Sequence, residues 1–162
     1  MSRRMSVEIE RFPIAGTFSI SRGSKTEAAV VTCSISDGDA VGRGECVPYA
    51  RYGESLESVA AAIEAARRHV EGGIDRNGLL AVMKPGAARN AVDCALWDLE
   101  AKQTGRRAHV IVGREAPRRL TTAMTISLSD PETMAAQARA QAHRPLLKAK
   151  VGADGDIARM RA

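Results

Sequence analysis

From Met5 to Ile14 apolar and polar positions alternate, with Val7, Ile9 and Phe12 on the apolar side, and this period of two predicts a first strand stopped near Pro13. Gly16 to Lys25 reads as a polar loop. Thr26 to Ser36 is rich in β-branched residues and predicts a second strand, Asp37-Gly38-Asp39 is a turn signal, and Ala40 to Val47 is the return strand. These segments form a three-stranded antiparallel meander. An irregular stretch, Val47 to Ser55, follows with both tyrosines of the chain, Tyr49 and Tyr52. The pattern leaves open whether they pack beneath the loop or serve a site.

The period then lengthens. Ser55 is placed to cap a helix running to about His69, with Leu56, Val59, Ala60, Ile63, Ala66 and Val70 at helical spacing. Glu57 in its first turn and Arg67-Arg68 in its last suit the helix dipole, and Gly72-Gly73 stops it. A short helix, Arg76 to Met83, ends at Lys84-Pro85-Gly86. Ala87 to Lys102 predicts a second long helix with an apolar stripe of Ala88, Ala91, Val92, Ala95, Leu96 and Leu99, ended by Gly105. Trp97, the only tryptophan, reads as a packing residue. Arg106 to Arg119 is a basic connector with a short apolar piece, His109 to Val112. Beyond it the reading is strand (Leu120 to Leu128), helix (capped by Asp130, with Pro131 first, to about Ala142), strand (146–151) and helix (from Asp154), the opening of a parallel α/β system.

Leu146-Leu147-Lys148-Ala149-Lys150-Val151-Gly152 is the most informative of these segments. As a short buried strand it places Leu147, Ala149 and Val151 on one face and Lys148 and Lys150 on the other. Burial and a neighbouring like charge both favour the neutral amine, the form that accepts a proton near neutral pH. The same residues would also suit an edge strand with two solvated lysines.

Composition narrows the class. The chain has 162 residues, 44% hydrophobic and 27% charged, as in an ordinary globular domain, or a small domain with part of another. The formal charge of +5 comes from scattered pairs such as Arg67-Arg68, Arg106-Arg107 and Arg118-Arg119, none interleaved with aromatic residues, which argues against nucleic acid as a partner. Three cysteines, Cys33, Cys46 and Cys94, form neither a disulfide framework nor a metal-ligand spacing, so a reducing, cytoplasmic setting is expected. No apolar run reaches the length of a membrane span, and Met1-Ser2-Arg3-Arg4-Met5 lacks the apolar core of a signal peptide.

Three stretches in this order resemble the enolase superfamily: Gly42-Arg43-Gly44-Glu45-Cys46-Val47-Pro48, Gly86 to Leu99 (GAARNAVDCALWDL), and Leu147-Lys148-Ala149-Lys150. The combination of Ile20-Ser21-Arg22-Gly23-Ser24 with Tyr49-Ala50-Arg51-Tyr52-Gly53-Glu54 resembles the two substrate-covering loops of the dipeptide epimerases within it, the L-Ala-D/L-Glu epimerase type. The resemblance implies an α+β capping domain over residues 1–115 and, over 116–162, the first two βα units of an incomplete (β/α) barrel.

It also implies an isomerase chemistry. Lys150 would abstract or return the proton α to a carboxylate, Lys148 would help hold that carboxylate, Thr125 would contact substrate, and Arg22 would recognise the carboxylate at the glutamate end of a dipeptide. Such reactions pass through an enediolate stabilised by a divalent metal, here Mg2+. A whole barrel typically takes about 250 residues. The acidic metal ligands, a second lysine on the opposite face and an acidic motif for the dipeptide's amino group are therefore expected on later strands, and none of this chain's own acids is assigned to metal. The chain is accordingly expected to be a truncated portion, inactive alone. Its uncovered strand edge is expected to favour self-association, a homo-oligomer among the outcomes. The resemblance suggests a cytoplasmic role in recycling cell-wall peptide. Within the superfamily a muconate cycloisomerase or an N-acylamino-acid racemase remains open. Outside it stands a non-catalytic basic binding module.

Overall fold

The computed structural model describes residues 2–20, 23–152 and 154–162. Three strands, β1 (Arg4–Ile20), β2 (Gly23–Asp37) and β3 (Ala40–Cys46), form one sheet in the order β1-β2-β3. Helices α1 (Leu56–Ala65), α2 (Arg67–Glu71), α3 (Arg76–Val82), α4 (Ala87–Thr104) and α5 (Ala108–Ile111) follow. Then come β4 (Met124–Ile126), α6 (Pro131–Ala140), β5 (Leu147–Ala149) and α7 (Asp156–Arg161). The chain divides into two compact units, one of Met1–Arg11 with Ala29–Pro117 and one of Phe12–Ala28 with Arg118–Ala162.

The antiparallel meander is present, but its first two strands are longer than the pattern predicts. Pro13 does not stop β1. The strand lies at the sheet edge, where a residue without an N–H is tolerated. The apolar side of β1 also changes parity, from Met5, Val7 and Ile9 to Phe12, Ile14 and Phe18, close to where the strand passes from one unit to the other. Ile9 and Phe12 therefore do not join Val7 against the core: both are exposed, whereas Met5 is buried. In β2 the adjacent residues Val30 and Val31 are both buried, yet only Val31 belongs to the main core.

In the first unit the core joins the sheet to α1, α2, α3 and α4 through Val31, Cys33, Ile35, Val59, Ile63, Val70, Leu79, Val92 and Leu99. The expected Ser55 cap is present, closed into a capping box with Ser58. The helix it starts is interrupted at Ala66, so α1 and α2 replace one helix to His69. Asp75 caps α3, and Gly105 ends α4 with φ +64.

The closest packing in this unit lies between α4 and β3. A Cβ at Gly42 would stand 2.1 Å from the Ala95 carbonyl oxygen, and one at Gly44 would stand 1.9 Å from that of Ala91. Neither glycine has a positive φ, so what they supply is space. With no side chain between them, α4 satisfies the outer edge of β3. Asn90 Nδ2 donates to the Glu45 carbonyl (3.2 Å), the Arg43 amide donates to Asp98 Oδ2 (2.9 Å), and Lys102 Nζ donates to the Val41 carbonyl (2.6 Å). Helix positions separated by four and eight residues thus meet strand positions separated by two, which blunts an edge that could pair with another strand. On the helix, Trp97 packs under the guanidinium of Arg76, 3.4 Å from its ring centroid, while Arg76 also pairs with Glu100.

In the second unit β4 and β5 pair in parallel, with Met124 opposite Leu147, Thr125 opposite Lys148 and Ile126 opposite Ala149. Both strands are shorter than the segments 120–128 and 146–151 that the pattern predicts. Asp130 caps α6, with Pro131 in its first turn, as expected. Ile126 and Met134 are buried, while Leu120, Val151, Ile157 and Met160 are largely exposed.

Candidate active site

The parallel register brings two predicted site residues side by side. Thr125 and Lys148 are direct partners across β4 and β5, and partners in a ladder project to the same face. Met124, Ile126, Leu147 and Ala149 take the other face, on which Ile126 is buried. Lys150 lies one residue beyond the end of β5, half-buried, with its Nζ 5.8 Å from the centroid of the Phe18 ring. Phe18 comes from the part of β1 that belongs to this same unit. An ammonium group over an aromatic face is held by the ring quadrupole.

The lysine strand is not a buried one: Leu147 and Ala149 are half-buried, Lys148 is exposed, and Val151 is 55% exposed. Among the described strands, β4 is the only one paired with β5, so β5 keeps one side open. Thr125 is the middle residue of β4, which is three residues long. Arg22, read from the sequence as the residue that recognises a carboxylate, lies outside the described residues.

Phe18 escapes a reading of the sequence that treats residues 16–25 as a polar loop. Its signal was the continued alternation of Phe12, Ile14 and Phe18 past Pro13. The two tyrosines belong to the other unit. There the segment from Tyr49 through a 3-10 turn at Ala50–Tyr52 exposes Tyr49 by 39% and Tyr52 by 76%, with ring centroids 5.6 Å apart, so they do not pack beneath the loop.

Among the described residues, no group of three His, Cys, Asp or Glu side chains is placed to hold a divalent metal. Asp156, past β5, accepts from the Gly152 amide (2.6 Å) and pairs with Arg159. No described helix is long and apolar enough to cross a membrane.

An antiparallel sheet packed on helices, followed by a parallel strand–helix–strand unit, defines an enolase-type capping domain with strands consistent with the start of a (β/α) barrel. The model of the mandelate racemase / muconate lactonizing enzyme N-terminal domain matches residues 3–113, and the chain belongs to that family. It is 40% identical to the L-Ala-D/L-Glu epimerase of Escherichia coli (strain K12) over 151 residues, 92% of this chain and 47% of that protein. It is 36% identical over 135 residues to an N-acetyl-D-glutamate racemase of a Pseudoalteromonas species, covering 82% of this chain and 42% of the relative.

Among solved structures, an enolase family member from Agrobacterium tumefaciens with homology to dipeptide epimerases, bound to sodium and L-Ala-L-Glu, is 58% identical. It superposes with a TM-score of 0.93 over 98% of this chain and 49% of its own. A dipeptide epimerase from Methylococcus capsulatus complexed with Mg and L-Arg-D-Lys is 30% identical, with a TM-score of 0.82 over 99% of this chain and 49% of its own. The chain therefore spans about half the length of the relatives it matches. The named enzymes among these relatives are isomerases, epimerases and a racemase.

Proposed function

We propose that this chain forms the capping domain (residues 1–115) and first barrel strands (116–162) of a dipeptide epimerase of the L-Ala-D/L-Glu type. The observation that carries the reading is the pairing of Thr125 with Lys148 beside Lys150, in a chain 58% identical to a structure bound to L-Ala-L-Glu.

In this reading Lys150 takes the proton from the carbon α to the substrate carboxylate, or delivers one to it, on one face, and the group that works on the opposite face is assigned to side chains outside this sequence. The Lys148 ammonium and Thr125 hydroxyl, adjacent on one face, hold that carboxylate so that the α-carbon meets the Lys150 Nζ. Phe18 limits where the Lys150 amine can go and shields it from water on one side. Arg22 pairs with the carboxylate of the glutamate side chain. A divalent ion, where bound, would stabilise charge developing on the enediolate. The described residues do not fit such an ion, so it is assigned to side chains outside this sequence. The cytoplasm is the proposed compartment.

The similarity to an N-acetyl-D-glutamate racemase favours a second reading, in which the same residues act on an N-acylated glutamate. One experiment separates the two. An enzyme containing this chain as its N-terminal half is incubated with Mg2+ in D2O, in parallel with L-Ala-L-Glu and with N-acetylglutamate, and the glutamate α-proton is followed by NMR. Loss of that signal with appearance of the L,D diastereomer is expected for the dipeptide. Exchange confined to N-acetylglutamate selects the second reading, and no exchange with either overturns both.

A further inference from the structure

We infer that Glu54 is a positioning residue, whose carboxylate ties the Tyr49–Tyr52 loop to the N-terminus of α4 and so fixes where the two exposed rings stand. The loop's own backbone bonds, from the Tyr52 amide to the Tyr49 carbonyl (2.8 Å) and from the Gly53 amide to the Ala50 carbonyl (3.0 Å), close a single tight turn. They do not connect that turn to the rest of the unit. Glu54 makes the connection with both oxygens. Its Oε2 accepts from the Tyr49 amide (3.1 Å), and its Oε1 accepts from the Ala87 amide (2.8 Å), thirty-three positions along the chain.

The helix needs what Glu54 offers. The first amides of a helix have no partner within it, and a carboxylate there also meets the positive end of the dipole. Gly86, the residue before α4, has no side chain to cap with. It is held at φ +152, and a Cβ on it would come within 2.9 Å of Glu54 Oε1. The cap is therefore supplied from the loop, and the glycine leaves room for it. The two amides hold the Glu54 carboxyl below the usual carboxylate range, so it is charged at neutral pH. Next to it, Ser55 and Ser58 close the capping box of α1 through bonds of 2.9 and 3.1 Å. The base of the loop is thus pinned to two helices, while Tyr49 and Tyr52 stay exposed beside a shallow pocket that includes Val47, Pro85 and Asn90. A fixed backbone carrying exposed aromatic rings suits recognition at low entropic cost. An effect of Glu54 on substrate binding rests on the function proposed above.

The tether is tested on the 162-residue chain itself by amide hydrogen exchange with residue-level readout. Glu54→Ala is expected to speed exchange of the Tyr49 and Ala87 amides by about tenfold or more while β2 is unchanged. Glu54→Gln keeps one acceptor oxygen and should release one of the two amides. Asp75→Ala, which removes the cap of α3, should speed only α3. Wild-type exchange at Tyr49 and Ala87 in Glu54→Ala would overturn the inference. In the active enzyme, Glu54→Ala is expected to raise KM for L-Ala-L-Glu by roughly five- to twentyfold with kcat within about twofold. Faster exchange with unchanged KM, or an equal fall in kcat and kcat/KM, overturns the positioning role. A wild-type enzyme that fails to turn over the dipeptide removes the epimerase reading, and the exchange result alone then decides whether Glu54 orders the loop.

Discussion

Replacing Gly44 with alanine inserts one methyl group where α4 lies directly on β3. The new Cβ would stand 1.9 Å from the Ala91 carbonyl oxygen and 2.6 Å from the Ala95 amide nitrogen, both backbone atoms of a helix whose inner face is fully buried. Ordinary contact begins near 3.4 Å, so helix and strand must separate by about 1.5 Å. Overpacking of this kind typically costs about 1–3 kcal/mol. The separation also stretches the bonds from Asn90 to Glu45, from Arg43 to Asp98 and from Lys102 to Val41, at about 1 kcal/mol each. A loss of about 4–6 kcal/mol is expected. With a urea slope of about 2 kcal/mol/M, the midpoint should fall by roughly 2–3 M. Trp97, the only tryptophan and itself on α4, supplies the fluorescence signal. Gly38→Ala is the control: nothing lies within 4 Å of its Cβ, and its φ of +61 leaves only a backbone cost of about 1–2 kcal/mol. A Gly44→Ala chain no less stable than Gly38→Ala would refute the reasoning.

Three further outcomes follow from the electrostatics and burial. The Thr133 hydroxyl and amide hold the Asp130 carboxyl down to about 2, so the stability it lends α6 is complete above the unfolded value near 3.8 and disappears as pH falls through about 2; an NMR titration of Asp130 that finds an ordinary carboxylate value would contradict this. Burial pushes the Cys33 thiol up to about 12 and that of Cys46 to about 11, whereas Cys94 is exposed, so a thiol reagent at about pH 8 should label one cysteine in the folded chain and all three in urea. Burial pushes the Asp98 carboxyl up, but its bonds to Lys102 and the Arg43 amide outweigh that and leave it below the usual range. Asp98→Ala should cost about 1–2 kcal/mol and uncover the β3 edge, giving concentration-dependent association on size-exclusion chromatography.

Helices were the most legible part of the fold, because several carry their own start or stop signals. Ser55 and Asp130 cap, and Gly105 terminates, all through contacts within a few residues, whereas the break at Ala66 gave no such signal. The apolar stripe of α4 was equally plain. Strand ends were less so. β1 continues past Pro13 because it is an edge strand, a fact that depends on its neighbours in the sheet and not on its own residues. The parity change in β1 was visible in the residues but reads as irregularity until the hairpin is seen to serve two units. Gly42 and Gly44 look like turn glycines, and only the approach of a helix about fifty residues later shows that they are there for space. Lys148 and Lys150 were identified by their spacing, but not their exposure, which depends on the strands that flank β5. The Glu54 tether spans thirty-three positions and left no local pattern to read.

The proton-abstracting role of Lys150 is tested most directly by isotope exchange with Lys150→Ala beside the wild-type enzyme. Both are incubated with L-Ala-L-Glu and Mg2+ in D2O, and circular dichroism confirms that both are folded. The wild type should wash out the glutamate α-proton, and Lys150→Ala should lose that exchange by a factor of about a thousand or more. An alanine variant that exchanges the proton at the wild-type rate would contradict the assignment of the base, and with it the role given to the Lys148–Lys150 strand.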